Sequence, residues 1–212
     1  MAYAVKEVFL TLQGEGIQVG RAAVFCRFAG CNLWSGREED RSSAACQFCD
    51  TDFRGTDGPG GGRFAAAGDL AARIRGTWHD RARNGRPYVV FTGGEPLLQL
   101  DEELVAACRS DGFEIAVETN GTIPAVRGID WVCVSPKARA ELVLLQGDEL
   151  KLVFPQPAAM PEMFEQLQFR HFLLQPMYGP NLGGNTAAAV AYCLANPNWR
   201  LSLQTHKLLG IP

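Results

Sequence analysis

PYVVFTGGEPLLQLDEELVAACRSDGFEIAVETNG, residues 87–121, contains two short apolar runs with a longer amphipathic pattern between them. The runs PYVVF (87–91) and FEIAVE (113–118) are nearly continuously apolar, which is typical of strands buried on both faces. Between them, LDEELVAACRSDG (100–112) has acids in its first turn and a glycine at its end, which is typical of a helix. A strand, a helix and a strand in this order predict two parallel strands joined by a right-handed crossover.

The same alternation extends along the chain on both sides of this unit. Five further apolar runs predict strands: AAVFCRF (22–28), WVCVS (131–135), LKLVF (150–154), HFLLQ (171–175) and WRLSL (199–203). Helical patterns cover 64–85 and 186–197, whereas the glycine-rich segment 55–64 predicts a flexible linker. Seven strands with few and short later helices predict an α/β fold, a partial, open β/α barrel with mostly parallel strands. In such a fold the functional site forms just after the strands, at their C-terminal ends.

The composition fits one globular domain over residues 1–212. Apolar residues make up 47% and charged residues 20%, and the net charge is −3 without a long basic run, so we expect no nucleic-acid partner. No apolar run reaches the roughly 18 residues of a spanning helix, and the first residues do not resemble a secretory signal, so we expect no membrane partner. Seven cysteines, an odd number, favour a reducing, cytoplasmic location with clustered thiols that bind a metal.

Three cysteines, Cys31, Cys46 and Cys49, begin directly after the strand predicted at 22–28, where an active-site loop belongs. Cys46 and Cys49 form a Cys-x-x-Cys pair that can reach one metal centre, and fourteen residues separate Cys31 from Cys46. The alternation of side chains along the strand puts Cys26 on the apolar face, opposite Arg27. We interpret the four remaining cysteines as core residues: Cys26, Cys108, Cys133 and Cys193.

Two kinds of metal site are compatible with three clustered cysteines. A structural zinc site normally has four ligands in a closed tetrahedron, so three cysteines leave it incomplete. An iron–sulfur cluster held by only three cysteines has one iron with an open coordination position, and an open position is where a metal site binds a reactant. Three cysteines are therefore enough for a catalytic cluster.

Other polar residues and glycines lie before, within or after the predicted strands. Gly93 and Gly94 follow the strand in VVFTGGEP, either because the backbone passes close to a ligand or because the chain makes a tight turn. Gln13 and Glu15 together can recognise a guanine-like edge, and Arg27 can bind a carboxylate through two hydrogen bonds. The alternative is that Gln13 and Glu15 are turn residues and Arg27 forms an interior ion pair.

Taken together, the three-cysteine loop, the aromatic Phe48 before its last cysteine and the strand that ends in TGGEP resemble the radical S-adenosylmethionine (radical SAM) superfamily. Over nearly the whole chain, the ordered motifs LQGEG, FCRFAGCNLW, CQFCDTDF, TGGEP, ETNG, SPK and LQTHK resemble the 7-carboxy-7-deazaguanine synthase family of that superfamily. The usual superfamily loop is Cys-x3-Cys-x2-Cys, so the fourteen-residue gap departs from it, although some members of the family have an expanded loop. The insertion SGREEDRSSAA (35–45) has no role that the sequence reveals.

The resemblance implies an enzyme that converts 6-carboxy-5,6,7,8-tetrahydropterin to 7-carboxy-7-deazaguanine and ammonia by radical ring contraction, on the route to queuosine and other 7-deazapurines. It implies a [4Fe–4S] cluster on Cys31, Cys46 and Cys49, S-adenosylmethionine on the open iron, and Mg²⁺ at Thr51. For the substrate, it implies contacts with Leu12, Gln13, Gly14, Glu15, Arg27, Thr92 and Pro212. For S-adenosylmethionine, it implies contacts with Phe48, Cys49, Asp50, Gly93, Gly94, Glu95, Glu118, Ser135, Pro136, Lys137, Gln175, Pro176, Met177 and Tyr178.

The resemblance also implies partners and an internal organisation. It implies an N-terminal substrate-binding segment (1–21), a cluster-binding loop with an insertion (29–63), a homodimer and an electron donor such as a flavodoxin. Two other hypotheses stay open. One is a glycyl-radical-activating enzyme, which shares the cluster but acts on a protein partner. The other is a zinc-binding module without catalysis.

Overall fold

The computed structural model describes residues 2–79 and 84–212. Within them, a nine-stranded sheet has the order β3-β1-β2-β4-β5-β6-β7-β8-β9. Its strands are β1 (Tyr3–Leu12), β2 (Ala22–Phe28), β3 (Gly62–Phe64), β4 (Tyr88–Gly93), β5 (Glu114–Thr119), β6 (Trp131–Val134), β7 (Gln146–Phe154), β8 (Gln168–Pro176) and β9 (Trp199–Leu201). The helices are α1 (Ala67–His79), α2 (Glu102–Ser110), α3 (Leu182–Ala195) and α4 (Thr205–Leu209), with short 3₁₀ helices at Glu38–Ser43, Pro96–Leu98 and Pro161–Met163.

The seven predicted strands are confirmed as β2 and β4 to β9, and neighbouring strands among them are parallel. The two strands that the sequence did not predict, β1 and β3, are antiparallel additions at one edge of the sheet. Since β3 and β9 form the two edges and do not pair with each other in the described part of the chain, the sheet is open. The predicted partial β/α barrel is therefore confirmed.

The segment 55–64 is not the flexible linker that its glycines suggested. The amide of Gly58 donates to the carbonyl oxygen of Lys6 at 2.9 Å, and the amide of Val8 donates to that of Pro59 at 2.8 Å. A Cβ on Gly61 would lie 2.1 Å from the carbonyl oxygen of Lys6, so a side chain there would prevent this contact. Here the glycines permit close approach of two backbones, and the segment is held against β1.

The three predicted long helices are confirmed as α1, α2 and α3, with shifted ends. The predicted end of α1 includes residues 80–83, which lie outside the described residues. Leu70 and Ile74 of α1 and Leu104 of α2 are fully buried against one face of the sheet. Burial of a side chain of this size stabilises the fold by about 1.5–3 kcal/mol, so these contacts fix the helices on that face.

The strands present alternate residues to the two faces of the sheet. Val89 and Phe91 of β4 pack toward the helices, whereas Tyr88 and Val90 belong to a smaller cluster on the opposite, inner face. Cys26 is fully buried in the helix-side core, as predicted, which leaves Arg27 facing inward. The inner face is therefore the one that can carry a site. No helix in the described residues combines the length and the apolar character needed to cross a bilayer.

Candidate active site

A cavity of about 410 Å³ opens at the C-terminal ends of the parallel strands. Its walls come from β1, from the loop between β2 and β3, from the ends of β4 to β8, and from α4. This is the position at which the strand order predicts a functional site.

The three clustered cysteines line this cavity together. Cys31, Cys46 and Cys49 are all free thiols on the loop that follows β2. The amide of Leu33 donates to Cys31 Sγ at 3.4 Å. The hydrogen bond between the two thiols of the Cys-x-x-Cys pair lowers the pKa of Cys49 to about 6 and raises that of Cys46. The loop thus presents sulfur ligands to the cavity, one of them with an acidified thiol.

Gly93 and Gly94, at the end of β4, bring this loop close to the sheet. A Cβ on Gly94 would lie 2.2 Å from the carbonyl oxygen of Gly30, and one on Gly93 would lie 2.4 Å from that of Phe28. The amide of Glu95 donates at 3.0 Å to the carbonyl oxygen of Gly30, the residue directly before Cys31. These glycines therefore permit a close contact between two backbones, and they also line the cavity.

Glu95, predicted to contact S-adenosylmethionine, is not among the residues that line the cavity. It is completely buried, where Oε1 accepts hydrogen bonds from the Thr119 hydroxyl (2.7 Å) and the Leu97 amide (3.0 Å), and Oε2 accepts one from the Asn120 amide (2.8 Å). Burial raises its pKa, although these hydrogen bonds oppose the change. Glu95 therefore ties the end of β4 to the end of β5 and has no free oxygen atom directed at a ligand.

Pro136 and Met177, also predicted to contact S-adenosylmethionine, do not line the cavity either. The carbonyl oxygen of Pro136 accepts a hydrogen bond from Gln156, and that of Met177 accepts one from Asn185. These two carbonyl oxygens are therefore bonded within the protein. The structure places every other predicted site residue on the cavity wall.

Charged and polar residues form the floor of the cavity. Lys151 of β7, which is 3% exposed, lies between Glu15 and Glu118, with Nζ–O distances of 2.5 and 3.2 Å. Gln13 donates to Glu118 at 2.8 Å, so the two segments predicted to bind substrate and cofactor meet here. Burial alone would lower the pKa of Lys151, but Cys133 and the surrounding carboxylates raise it well above its ordinary value.

Glu15 stays ionised within this floor. Burial would raise its pKa, but the Lys151 ammonium group and hydrogen bonds from Lys151 and Gln204 bring it well below the ordinary value. A carboxylate held in this state is a pure acceptor, which suits recognition of ring N–H and amino groups. Glu15 therefore lines the cavity as a carboxylate whose two oxygens accept hydrogen bonds from Lys151 and Gln204.

Two basic residues on the walls are already engaged. Arg27 Nε donates to Glu7 at 2.7 Å, so Arg27 forms the predicted interior ion pair while its side chain lines the cavity. Lys137 Nζ donates to the carbonyl oxygen (2.6 Å) and hydroxyl (2.7 Å) of Ser135 after β6. Desolvation lowers the pKa of Lys137.

The short helix α4 closes one side of the cavity. Lys207 forms an ion pair with Asp50, next to Cys49, and its Nζ lies 3.4 Å from the centre of the Tyr178 ring. The Thr205 hydroxyl donates to the carbonyl oxygen of Gly14 at 3.0 Å, and the Gln204 amide donates to the Glu15 carboxylate at 2.9 Å. Thr11 donates to the backbone oxygen of Pro212 at 2.8 Å. Residues 204–212 therefore join the cysteine loop to the N-terminal hairpin, which consists of β1, β2 and the turn between them (3–28).

Comparison with known proteins assigns this architecture to a family. A family model described as "Radical SAM superfamily" matches residues 41–144. The chain is 65% identical to 7-carboxy-7-deazaguanine synthase of Bordetella pertussis and 63% identical to that of Caulobacter vibrioides, over 100% of both chains in each case. The chain belongs to the 7-carboxy-7-deazaguanine synthase family. The crystal structure of QueE from Escherichia coli matches the fold with a TM-score of 0.66 at 29% identity, and the match covers 96% of this chain and 94% of that one.

Membership in this family makes the chain an enzyme, so the hypothesis of a zinc-binding module without catalysis is wrong. The radical SAM superfamily implies a [4Fe–4S] cluster and S-adenosylmethionine. The residues present fit this pair, because three thiols on one loop face a single cavity and a backbone amide donates to the sulfur of Cys31. Among the described residues, no three His, Cys, Asp or Glu side chains converge on a position for a single metal ion.

The cavity wall also includes residues that the sequence motifs do not assign to the site. Cys133 is buried as predicted but faces the cavity, unlike Cys108, which lies in the helix-side core. The run LKLVF (150–154) predicts a buried apolar strand, and this pattern assigns no role to Lys151. A lone lysine in such a strand was the available signal, since a buried lysine needs charged partners. His206 and Lys207 lie in the terminal LQTHK motif, which carried the resemblance but had no assigned role.

Proposed function

We propose that this enzyme converts 6-carboxy-5,6,7,8-tetrahydropterin to 7-carboxy-7-deazaguanine and ammonia. The observation that carries the proposal is one cavity lined both by the cysteine loop and by Gln13, Glu15 and Arg27. A small polar substrate can thus lie beside the cluster-binding thiols. The names of the relatives, 7-carboxy-7-deazaguanine synthase, support the product side of the reaction.

For the pterin, we assign recognition of the heterocycle to the N-terminal hairpin. The ionised Glu15 accepts from a ring N–H and an exocyclic amino group, and Gln13 offers both a donor and an acceptor. Arg27 uses its Nε on Glu7, which leaves its terminal nitrogens to bind the substrate carboxylate. Leu12, Gly14, Thr92 and Pro212 complete the substrate wall.

For S-adenosylmethionine, we assign the ribose hydroxyls to Glu118 and the methionine end to the backbone at Gly93 and Gly94. When bound, the reduced cluster and S-adenosylmethionine supply the radical chemistry that removes hydrogen from the substrate. The chain's own residues orient the two ligands and exclude water. Further contacts come from the residues that line the opposite wall: Phe48, Asp50, Ser135, Lys137, Gln175, Pro176 and Tyr178.

We place a Mg²⁺ site at Thr51. Thr51 follows Cys49 and Asp50 in the chain and lines the same cavity as Arg27, to which we assign the substrate carboxylate. Mg²⁺ keeps several waters and takes few protein ligands, so a hydroxyl together with substrate oxygens suits it. The neighbouring carboxylates are already paired, Asp50 with Lys207 and Asp52 with Lys6.

The proposal includes the surroundings of the enzyme. We propose a cytoplasmic location, which the seven free cysteines support, because thiols stay reduced there. We also propose a homodimer and an electron donor such as a flavodoxin, as the family resemblance implies. Within one domain, 1–21 is the substrate-binding segment, of which Tyr3–Leu12 forms β1, and 29–63 is the cluster-binding loop.

The test is anaerobic turnover of the carboxylated tetrahydropterin by reconstituted enzyme, with and without Mg²⁺. We expect a deazaguanine product, and its formation should increase when Mg²⁺ is added. A fully loaded cluster that yields no such product would overturn the substrate assignment. Formation of product at the same rate without Mg²⁺ would overturn the Thr51 site.

Cysteine variants test the cluster assignment separately. Cys46→Ala should abolish product formation and lower iron from about four atoms per chain, because two thiols cannot hold the cluster. Cys193→Ala, on α3 and outside the cavity lining, should keep both iron and activity. Equal iron contents in the two variants would contradict the ligand assignment.

A further inference from the structure

The insertion that lengthens the cysteine loop is folded and held against the cysteines. Residues Glu38–Ser43 form a 3₁₀ helix. Just before this helix, the Ser35 hydroxyl donates to the Asp40 carboxylate at 2.6 Å. The amide of Ala45 donates to the carbonyl oxygen of Leu33 at 3.2 Å, which brings the end of the insertion back to its beginning. The fourteen-residue gap between Cys31 and Cys46 is therefore closed in space.

Arg41, in the middle of this 3₁₀ helix, reaches back to the Cys-x-x-Cys turn. Its Nη1 donates to the carbonyl oxygens of Gln47 and Cys49 at 2.9 and 3.0 Å. The turn is not part of a helix or strand, so these two carbonyls have no partners in regular structure. One planar group that binds both carbonyls fixes the backbone that carries Cys46 and Cys49.

The same guanidinium group contacts the other arm of the loop. Its central carbon lies 4.1 Å from the centre of the Trp34 ring, three residues after Cys31. Trp34 is 8% exposed, packs edge-on against Phe53 at 5.6 Å, and lines the cavity. Nε of Arg41 is held by both carboxylate oxygens of Glu38, at 2.8 Å each, so the orientation of the group is fixed.

We propose that Arg41 is a positioning residue that joins the Cys31 arm to the Cys46–Cys49 arm and so preorganises the three thiols for the cluster. In the usual short loop the sequence spacing itself keeps the cysteines together. Here the long gap removes that restraint, and Arg41 restores it through two carbonyls and one aromatic ring. The inference rests on the cluster assigned above.

The test compares Arg41→Gln with Arg37→Gln in anaerobically reconstituted protein. Arg37 belongs to the same insertion, but its side chain is 61% exposed and its ion pair with Glu39, at 3.5 Å, does not touch the cysteines. Losing a residue that orients metal ligands typically lowers metal affinity about 10–100-fold. We expect this loss to appear in the dissociation rate, so a ferrous chelator should extract iron about 10–100 times faster from Arg41→Gln than from wild type. Arg37→Gln should release iron at the wild-type rate.

Two further measurements separate positioning from general stability. The apo forms of Arg41→Gln and wild type should melt within about 2 °C of each other, because a surface loop contributes little to global unfolding. Arg41→Lys should release iron at an intermediate rate, since an ammonium group can bind the carbonyls but cannot stack on Trp34 as a plane. If Arg41→Gln does not fold, Glu38→Gln replaces it, with a smaller acceleration expected from a loosened Arg41.

Equal iron release from Arg41→Gln and wild type would overturn the inference. Faster iron release together with a clearly lower melting temperature of the apo form would also overturn it, since that would indicate a merely structural role. A wild-type protein that binds no cluster at all would instead overturn the proposed function, so the two failures are distinguishable.

Discussion

Gly94 lacks a side chain at a point where the carbonyl oxygen of Gly30 would lie 2.2 Å from a Cβ. This contact brings the end of β4 against the residue that precedes Cys31. The hydrophobic pattern of the sequence determines the sheet but not the position of the cysteine loop. Single positions such as Gly94 connect the two. The cysteine loop can therefore take its position only because residue 94 is a glycine.

Gly94→Ala should destabilise the protein by about 1–3 kcal/mol, because the added methyl group overlaps backbone that can only move with the cysteine loop. Iron content after reconstitution should fall together with stability. Urea unfolding of the apo protein and iron analysis measure the two effects.

The matched control is Gly76→Ala, in the interior of α1, where no atom lies within 4 Å of an added Cβ. It should stabilise the protein by about 0.5–1 kcal/mol through helix propensity. Wild-type stability and full iron loading in Gly94→Ala would show that the contact does not restrict this position.

The motifs and the family resemblance selected residues of which most line the cavity, but they did not predict which way each side chain points. Glu95 and Glu118 are both acids at the ends of parallel strands, yet one is enclosed by Thr119 and Asn120 and the other lines the cavity. Cys133 looks like any cysteine of a buried strand, and only the register of β6 directs it at Lys151 rather than into the apolar core. Such differences depend on tertiary contacts that a sequence pattern does not encode.

Among the elements, the parallel strands and their helices followed from the sequence because burial on both faces and helical periodicity leave strong patterns. β1 did not, because one of its partners, Gly62–Phe64, is far away in the chain and belongs to a glycine-rich segment. The insertion 35–45 carries no apolar periodicity, so its 3₁₀ helix depends on side-chain contacts such as that of Ser35 with Asp40.

The element α4 yields a prediction for substrate binding. Lys207→Met removes the ion pair with Asp50 and the contact with Tyr178, and so frees one side of the cavity. Because the ion pair is partly exposed, global stability should change by less than about 1 kcal/mol. The KM for substrate or S-adenosylmethionine should rise up to roughly tenfold, which corresponds to about 1.4 kcal/mol of binding energy.

Steady-state kinetics with fully loaded enzyme measure this effect. Leu208→Ala is the control, since the neighbouring side chain is 76% exposed. An unchanged KM in Lys207→Met would indicate that α4 does not close the cavity during turnover.

For the whole molecule, the open barrel creates a specific electrostatic problem. An apolar sheet that encloses charged ligands must carry charged side chains on its inner face, and these have to be paired. Lys151 meets this need by bridging Glu15 of the N-terminal hairpin and Glu118 of β5. One buried ammonium group therefore links elements from opposite parts of the chain, and the stability of the fold becomes linked to its ionisation state.

This linkage predicts a dependence of stability on pH. The folded pKa of Glu15 lies below its ordinary value of 4.5, so the unfolded state binds more protons at acidic pH. The stabilisation is fully present above pH 4.5 and is lost as the pH falls from there toward the lower, folded pKa. Glu15→Gln cannot titrate, so its stability should fall less steeply over this range.

Urea unfolding of the apo proteins between pH 7 and pH 3 measures the difference. Glu15→Gln should be less stable than wild type at pH 7, because Lys151 keeps only Glu118, and the two curves should converge as the pH falls. The pKa values of Asp52 and Asp57 are also lowered, by hydrogen bonds from Lys6, but both groups titrate in both proteins and cancel in the comparison. Glu39→Gln, at an exposed carboxylate, should run parallel to wild type. A difference in the free energy of unfolding between wild type and Glu15→Gln that stays constant down to pH 3 would contradict this prediction. It would show that the pKa of Glu15 is the same in the folded and unfolded states.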